Sequence, residues 1–267
     1  MKRRGFIKAS LFSGTLVGAL PIVGLANNAV EVEKKSGPEF YELRVYSLKN
    51  KAQQQLVEDF WKEAAIPALN RIGSRKIGVF TEQKPEGQTK LFVVIPFSSI
   101  ENYITSTARL LSDVNYQQAG AAYLNVTAAE PAYERVQSSL LQAFAGLPQM
   151  VVPENKPRLF ELRRYESHSE SAGKKKVEMF NKGGEISIFK RVGLTPVFFG
   201  ETIFGEMRPN LTYMITFDDM DEHDRNWKVF GSDPEWKKIS ALPEYKDAKI
   251  VSRITRTFLL PTSFSQV

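Results

Sequence analysis

The sequence predicts an α+β fold in which two tandem ferredoxin-like (βαββαβ) repeats form one intramolecular α+β barrel. Three observations carry that prediction. The first is a duplication: Tyr41-Glu42-Leu43-Arg44-Val45-Tyr46 returns as Phe160-Glu161-Leu162-Arg163-Arg164-Tyr165 at an offset of 119. From residue 57 to 113 an ungapped offset of 120 pairs Val57 with Val177, Phe60 with Phe180, Ile66 with Ile186 and Gly73 with Gly193. It ends on Ser112-Asp113 against Ser232-Asp233. A period this long is beyond solenoid units, so each copy is a small domain. The second observation is that strand and helix periodicities alternate in the same order in both copies. The third is physical. A ferredoxin-like unit covers one sheet face with helices and leaves the other bare, and a bare apolar face is unstable in water. Two copies in one chain close those faces on each other, with a cavity or packed layer between the sheets.

Each copy opens on a segment of strand character, 40–48 and 159–166. Residues 53–72 then place Val57, Phe60, Trp61, Ala64, Ala68 and Ile72 at helical spacing. Pro67 is expected to kink this helix and Gly183-Gly184 to weaken its counterpart, with Gly73 and Gly193 as C-terminal stops. Two strands follow in each copy, Ile77–Thr81 with Leu91–Phe97 and Pro196–Ile203 with Leu211–Phe217. Ser98 with Glu101 reads as a capping box, and Asp218 as the equivalent N-cap. Asp233-Pro234 reads as an N-cap and N1 proline before a short helix, Glu235–Ser240. Closing strands are expected around Tyr133–Leu140 and Lys249–Leu259. The repeats therefore span about 37–145 and 158–262, joined by a linker over 146–157 that carries Pro148, Pro153 and Pro157.

Residues 1–26 read as an export signal. Lys2-Arg3-Arg4-Gly5-Phe6-Ile7-Lys8 is a charged head, Ala9–Leu25 an apolar core, and Gly24-Leu25-Ala26 a small-residue cleavage site. The head resembles the twin-arginine pattern, a receptor-read address of bacterial export; a general secretory signal with two adjacent arginines is the alternative. The expected address is the periplasm, with no stable membrane anchor.

Composition narrows the function classes. The net charge is +6, but Lys2, Arg3, Arg4 and Lys8 supply four of the 36 basic residues. No acid falls within 1–26, so the remainder holds 32 basic against 30 acidic residues and a nucleic-acid partner loses its support. Cysteine is absent, which excludes disulfides, thiolate metal sites and cysteine nucleophiles. With only His168 and His223, a multi-histidine metal centre is not expected, and no cofactor motif is present.

Several of these residues resemble the NIPSNAP family of the dimeric α+β barrel group. They are Phe160-Glu161-Leu162-Arg163-Arg164-Tyr165, the strand Leu211–Phe217, Trp227 and the turn Asp233-Pro234-Glu235-Trp236. Tyr41-Glu42-Leu43-Arg44-Val45-Tyr46 and Gly78-Val79-Phe80-Thr81-Glu82 look similar in the first copy, although Val114-Asn115-Tyr116 replaces Pro-Glu-Trp after Asp113. The resemblance implies the barrel fold; it carries no catalytic residue.

The candidate site lies on the opening strands. Alternation puts Glu42, Arg44 and Tyr46 on one face, with Tyr41, Leu43 and Val45 on the other; Glu161, Arg163 and Tyr165 repeat the pattern. If the apolar set faces the helices, the polar set points into the barrel. A carboxylate, guanidinium and phenol lining an inter-sheet cavity suit an anionic or polyphenolic ligand, or a proton shuttle. The alternative is that they are structural ion pairs. His168 reads as a surface turn, and His223 as part of an acidic helix start. Lys174-Lys175-Lys176 reads as a solvated helix start, and Trp227 and Trp236 as packing residues. The functional expectation is an exported small-molecule-binding or interaction protein. A monooxygenase- or isomerase-like enzyme is the alternative, and further oligomerisation is compatible with either.

Overall fold

Each opening strand is long enough to reach across a barrel wall, and each is followed within a few residues by a capped helix. In the computed structural model, which describes residues 37–267, these are β1 (Phe40–Leu48) and β5 (Leu159–Glu166). The signal expected over residues 1–26 lies outside the described residues. Asn50 caps α1 (Lys51–Asp59), and Ser169 caps α6 (Glu170–Asn181).

The two copies then treat the same helix differently. In the first, α1 runs through a π-helical turn (Phe60–Ala65) into α2 (Ile66–Arg71), the Ile66 N–H bonding to the Trp61 carbonyl five residues back. The wide turn lets Pro67, which has no N–H to give, sit in the first turn of α2. In the second copy, α6 stops and α7 (Glu185–Arg191) restarts behind Gly184, whose φ of 90° is left-handed.

This break corrects the repeat register. Up to it the burial pattern matches at an offset of 119, so Gln53 answers Ala172, Val57 answers Lys176 and Trp61 answers Phe180. Beyond it the offset is 120, with Ala65 answering Glu185 and Leu69 answering Phe189. The expected pairing of Phe60 with Phe180 is thus one residue out, because the added residue lies at the Lys182–Gly184 break. Gly73 and Gly193 end the helices at φ of 99° and 82°.

The remaining elements are β2 (Gly78–Glu82), β3 (Thr89–Phe97), α3 (Ile100–Leu111), α4 (Val114–Ala119), α5 (Ala121–Leu124) and β4 (Arg135–Ala143). Their second-copy counterparts are β6 (Thr195–Phe204), β7 (Asn210–Phe217), α8 (Met220–Ser232), α9 (Pro234–Ser240), α10 (Asp247–Ile250) and β8 (Arg253–Pro261). Two caps fall one residue later than expected. Ser99, not Ser98, accepts from the Asn102 N–H, and Asp219, not Asp218, from the Glu222 N–H. Either of two adjacent polar residues suits a cap, and the one with extended backbone takes it. Asp218 instead pairs with Lys156 of the linker at 2.8 Å. Lys249, expected on the last strand, lies in α10.

The strands close a barrel in the order β1-β3-β2-β8-β5-β7-β6-β4, every pair antiparallel. The two repeats meet at two seams: β2 on β8, where Thr81 faces Leu260, and β4 on β6, where Leu141 faces Thr202. Both faces of the central strands β1, β3, β5 and β7 are consequently covered. Inside the barrel, Tyr41, Phe80 and Leu141 of the first copy pack with Phe160, Phe198 and Leu259 of the second. Outside, each repeat has its own helix-to-sheet core, around Trp61 and Val93 in one and around Phe180, Phe189 and Tyr213 in the other.

Candidate functional site

That layering reverses the expected orientation of the opening strands. Tyr41, Leu43 and Val45 point into the barrel, while Glu42, Arg44 and Tyr46 lie beneath the helices of the first repeat. Glu161, Arg163 and Tyr165 lie likewise beneath the helices of the second. The physical reason is partner supply. Around Tyr41 and Phe160, level with Glu42 and Glu161, the inter-sheet layer is apolar, and a buried charge placed there would be unpaired. Beneath the helices of the second repeat, α8 brings the Trp227 indole and the His223 imidazole to Glu161. Within each repeat the three predicted residues stay together, but β3, β2 and β8 separate β1 from β5, so the two trios do not form one site.

In the first repeat the charges close on themselves. Arg44 Nε and Nη2 donate to Glu42 Oε1 and Oε2 at 2.7 and 2.9 Å, and the Ser138 hydroxyl donates to Oε1 at 2.7 Å. Both carboxylate oxygens are satisfied, as a structural ion pair requires.

The second repeat keeps the residues and opens the pair. Arg163 Nε stands 3.6 Å from Glu161 Oε1, an ionic contact beyond hydrogen-bond reach. The guanidinium instead stacks 4.3 Å above the Trp227 ring. Glu161, fully buried, accepts from Trp227 Nε1 at 3.0 Å through Oε2, and His223 Nε2 lies 3.4 Å from the same oxygen. On its other side His223 Nδ1 meets Asp224 Oδ1 at 2.8 Å. Burial alone would lower the His223 pKa, but the Glu161 and Asp224 carboxylates outweigh it and hold it above the ordinary histidine value. Glu161 Oε1, Arg163 Nε and His223 Nε2 are all buried without a hydrogen-bond partner. All three residues line one shallow pocket of about 410 Å³, completed by Asp224, Trp227 and Arg256.

Deeper in the same layer lies a buried ion pair. Lys176, only 1% exposed, reaches Glu185 Oε2 at 3.4 Å and is surrounded by the rings of Tyr165, Phe180 and Trp236 at 5.2, 5.0 and 5.9 Å. Burial raises the Glu185 pKa against the pull of Lys176. The Tyr213 hydroxyl lies 3.4 Å from that of Tyr165. The first repeat has Val57, Ala65 and Val93 at the positions of Lys176, Glu185 and Tyr213. The fold therefore does not need a polar layer here; one copy has it and the other does not.

Sequence reasoning misplaces Lys176 and His223 and does not single out Glu185, Tyr213 or Arg256. Lys176 belongs to a run that reads as solvated, but only Lys174 of that run is exposed and Lys176 is buried. His223, read as part of a helix start, is turned inward on α8. The available signal was spacing: His223 and Trp227 are four residues apart and share a helix face. His168 is exposed, and Asp233 caps α9 while pairing with Arg191 at 2.6 Å. Among the described residues no group of three or more His, Asp or Glu is placed to hold a metal, and no helix is long and apolar enough to cross a membrane.

A closed eight-stranded antiparallel barrel made from two βαββαβ repeats, with helices outside, defines a dimeric α+β barrel fused within one chain. Within that class the chain belongs to the NIPSNAP family, whose model matches residues 41–146 and again 160–266. Solved structures of similar fold include a candidate monooxygenase from Fusobacterium nucleatum, 10% identical, with 84% of this chain and 93% of that one covered at a TM-score of 0.56. A candidate monooxygenase from Lactobacillus acidophilus is 9% identical, covering 84% and 94% at a TM-score of 0.56. A NIPSNAP-like domain protein from Burkholderia xenovorans is 20% identical over 40% of this chain and 88% of its own, at a TM-score of 0.36. Among curated proteins, none matches significantly.

Proposed function

We propose that this chain is an exported, periplasmic small-molecule-binding protein whose ligand occupies the pocket of Glu161, Arg163, His223 and Trp227. One observation carries the reading: three buried polar atoms without a hydrogen-bond partner belong to residues of one pocket, whereas the equivalent carboxylate of the first repeat has every partner it needs. Buried polar groups left open in this way are costly unless something completes them. The open groups describe what fits. Arg163 and His223 offer donors to an acidic oxygen, and Glu161 Oε1 offers an acceptor to a hydroxyl. A hydroxylated acid or a polyphenol presents both. Arg256 adds a further positive charge at the same pocket.

The reading is tested by purifying the mature protein from its native periplasm and recording native mass spectra and absorbance. With the co-purified compound in hand, Arg163→Ala should weaken binding at least about tenfold, or about 1.4 kcal/mol. Unchanged affinity in a folded variant would return Glu161 and Arg163 to a purely structural role. The export half is tested separately. Replacing Arg3 and Arg4 together by lysine should abolish delivery by the twin-arginine route, and normal periplasmic yield would overturn that route.

A second reading, a small-molecule enzyme of monooxygenase or isomerase type, is favoured by His223 lying between two carboxylates. An imidazole so placed can pass a proton. Conversion of the co-purified compound by the purified protein, lost in His223→Gln, would favour it over simple binding.

A further inference from the structure

The barrel interior is filled at one end and open at the other. Tyr41, Phe80, Phe160 and Phe198 pack the filled end. At the other end, where β1 and β5 finish, a cavity of about 230 Å³ remains between the sheets. Leu43 and Val45 line it and, although they face the barrel interior, are only half-buried.

The two walls of this cavity occupy equivalent positions in the repeats but differ in chemistry. Across β3, β1 and β4 the register places Phe92, Val45 and Gln137 side by side. Across β7, β5 and β8 the same row is Thr212, Arg164 and Thr255. A symmetric dimer of identical units would present two identical walls; the fused chain has a wall that is apolar except for Gln137 facing a hydroxyl and guanidinium wall. Lys90 adds a second cation at the rim. Thr255 Oγ1 is buried there without a hydrogen-bond partner. The opposing charges are Glu166, which holds Arg164 through Nε and Nη2 at 3.1 and 3.0 Å and takes up part of its charge, and Glu82, whose partly buried carboxyl lies in the field of Lys90.

We propose that this barrel mouth is a second ligand site, taking a small monocarboxylate with a short apolar tail. The carboxylate meets Arg164, Lys90 and the Thr255 hydroxyl, and the tail lies against Leu43, Val45 and Phe92. At about 30 Å³ per water-sized group, the cavity holds roughly eight non-hydrogen atoms, the size of hexanoate. The site is on the opposite face of β5 from Glu161 and Arg163, so it is independent of the outer pocket.

The test is an amide-shift NMR titration of the full mature chain with sodium hexanoate, with hexan-1-ol as the uncharged control. Saturable shifts should centre on Val45, Arg164 and Thr255. Arg164→Gln should weaken hexanoate at least about tenfold and leave hexan-1-ol nearly unchanged. Glu166→Gln, which frees the guanidinium, should tighten hexanoate. Val45→Trp should fill the cavity and abolish binding of both. If Val45→Trp does not fold, the opposite responses of the Arg164 and Glu166 variants, both at the rim, decide the matter. Absence of saturable shifts, shifts confined to the Glu161 and His223 pocket, or an unchanged hexanoate affinity in folded Arg164→Gln would overturn the proposal.

Discussion

Trp227 of α8 donates its indole N–H to Glu161 Oε2 of β5 at 3.0 Å, tying an outer helix to the barrel wall through a carboxylate with no exposed surface. In the first repeat the equivalent Glu42 is held by Arg44, two residues away on its own strand. The duplication thus preserves a buried carboxylate twice while changing what restrains it. In one copy it is locked within the strand; in the other it depends on a helix and retains an unsatisfied oxygen.

Trp227→Phe keeps the ring beneath Arg163 but removes the donor. The cost should be about 1–3 kcal/mol, because Glu161 Oε2 loses its one well-aligned hydrogen bond in a buried site. Urea denaturation of the variant against the parent measures it. An unchanged midpoint would mean that water or His223 replaces the indole.

Much of the architecture was legible because it depends on pattern. The repeat of Glu42-Leu43-Arg44 as Glu161-Leu162-Arg163 and the helix stops at Gly73 and Gly193 are local signals, and both copies agree on them. The face assignment of β1 and β5 was not legible. Alternation says which residues share a side, but with both sides buried neither is marked by solvent. What decides the matter is the partner set on α8, including His223 and Trp227, and that is a tertiary fact. The Lys176–Glu185 pair was hidden for a related reason. One residue added at Lys182–Gly184 shifts the helix register, so matching the repeats at 120 pairs Lys176 with Leu56 instead of Val57.

His223 supplies a pH dependence with a definite sign. Its folded pKa is held above the ordinary value by Glu161 and Asp224 despite burial. Its contribution to stability is therefore fully present below the unfolded histidine pKa of about 6.5 and is lost as pH rises through the higher folded value. The stability difference between the parent and His223→Gln should accordingly shrink as pH rises from about 6.5 through that higher value. Chemical denaturation at a series of pH values measures this, and a difference that grows with pH would contradict the assigned pairing.

The Lys176–Glu185 pair should be dispensable for folding as a pair but not singly. Lys176→Met alone leaves Glu185 buried without its cation and should cost about 3–5 kcal/mol, less whatever Glu185 recovers by taking up a proton. Lys176→Met with Glu185→Leu restores an apolar layer like that of Val57 and Ala65, and should be neutral or stabilising by about 1–4 kcal/mol. Thermal unfolding of the two singles and the double closes the cycle. A double variant as unstable as the worse single would show that this layer is required by the second repeat after all.

The final expectation concerns why both repeats share a chain. The interior cluster draws Tyr41, Phe80 and Leu141 from one repeat and Phe160, Phe198 and Leu259 from the other, so neither half can bury its inner sheet face alone. The seams at Thr81 with Leu260 and Leu141 with Thr202 would also become open strand edges, which recruit other chains. Expressed separately as residues 37–145 and 158–262, each half should dimerise or aggregate, whereas mixing the two should restore a one-to-one complex with cooperative unfolding. Analytical ultracentrifugation and thermal melts of each half and of the mixture measure this. The outer core around Trp61 comes from the first repeat apart from Phe264, and that around Phe189 from the second apart from Phe144 and Leu147, so helical signal in an isolated half is expected and does not count against the idea. A half that is monomeric, folded and cooperative by itself would do so, because it would show that the inner face needs no partner.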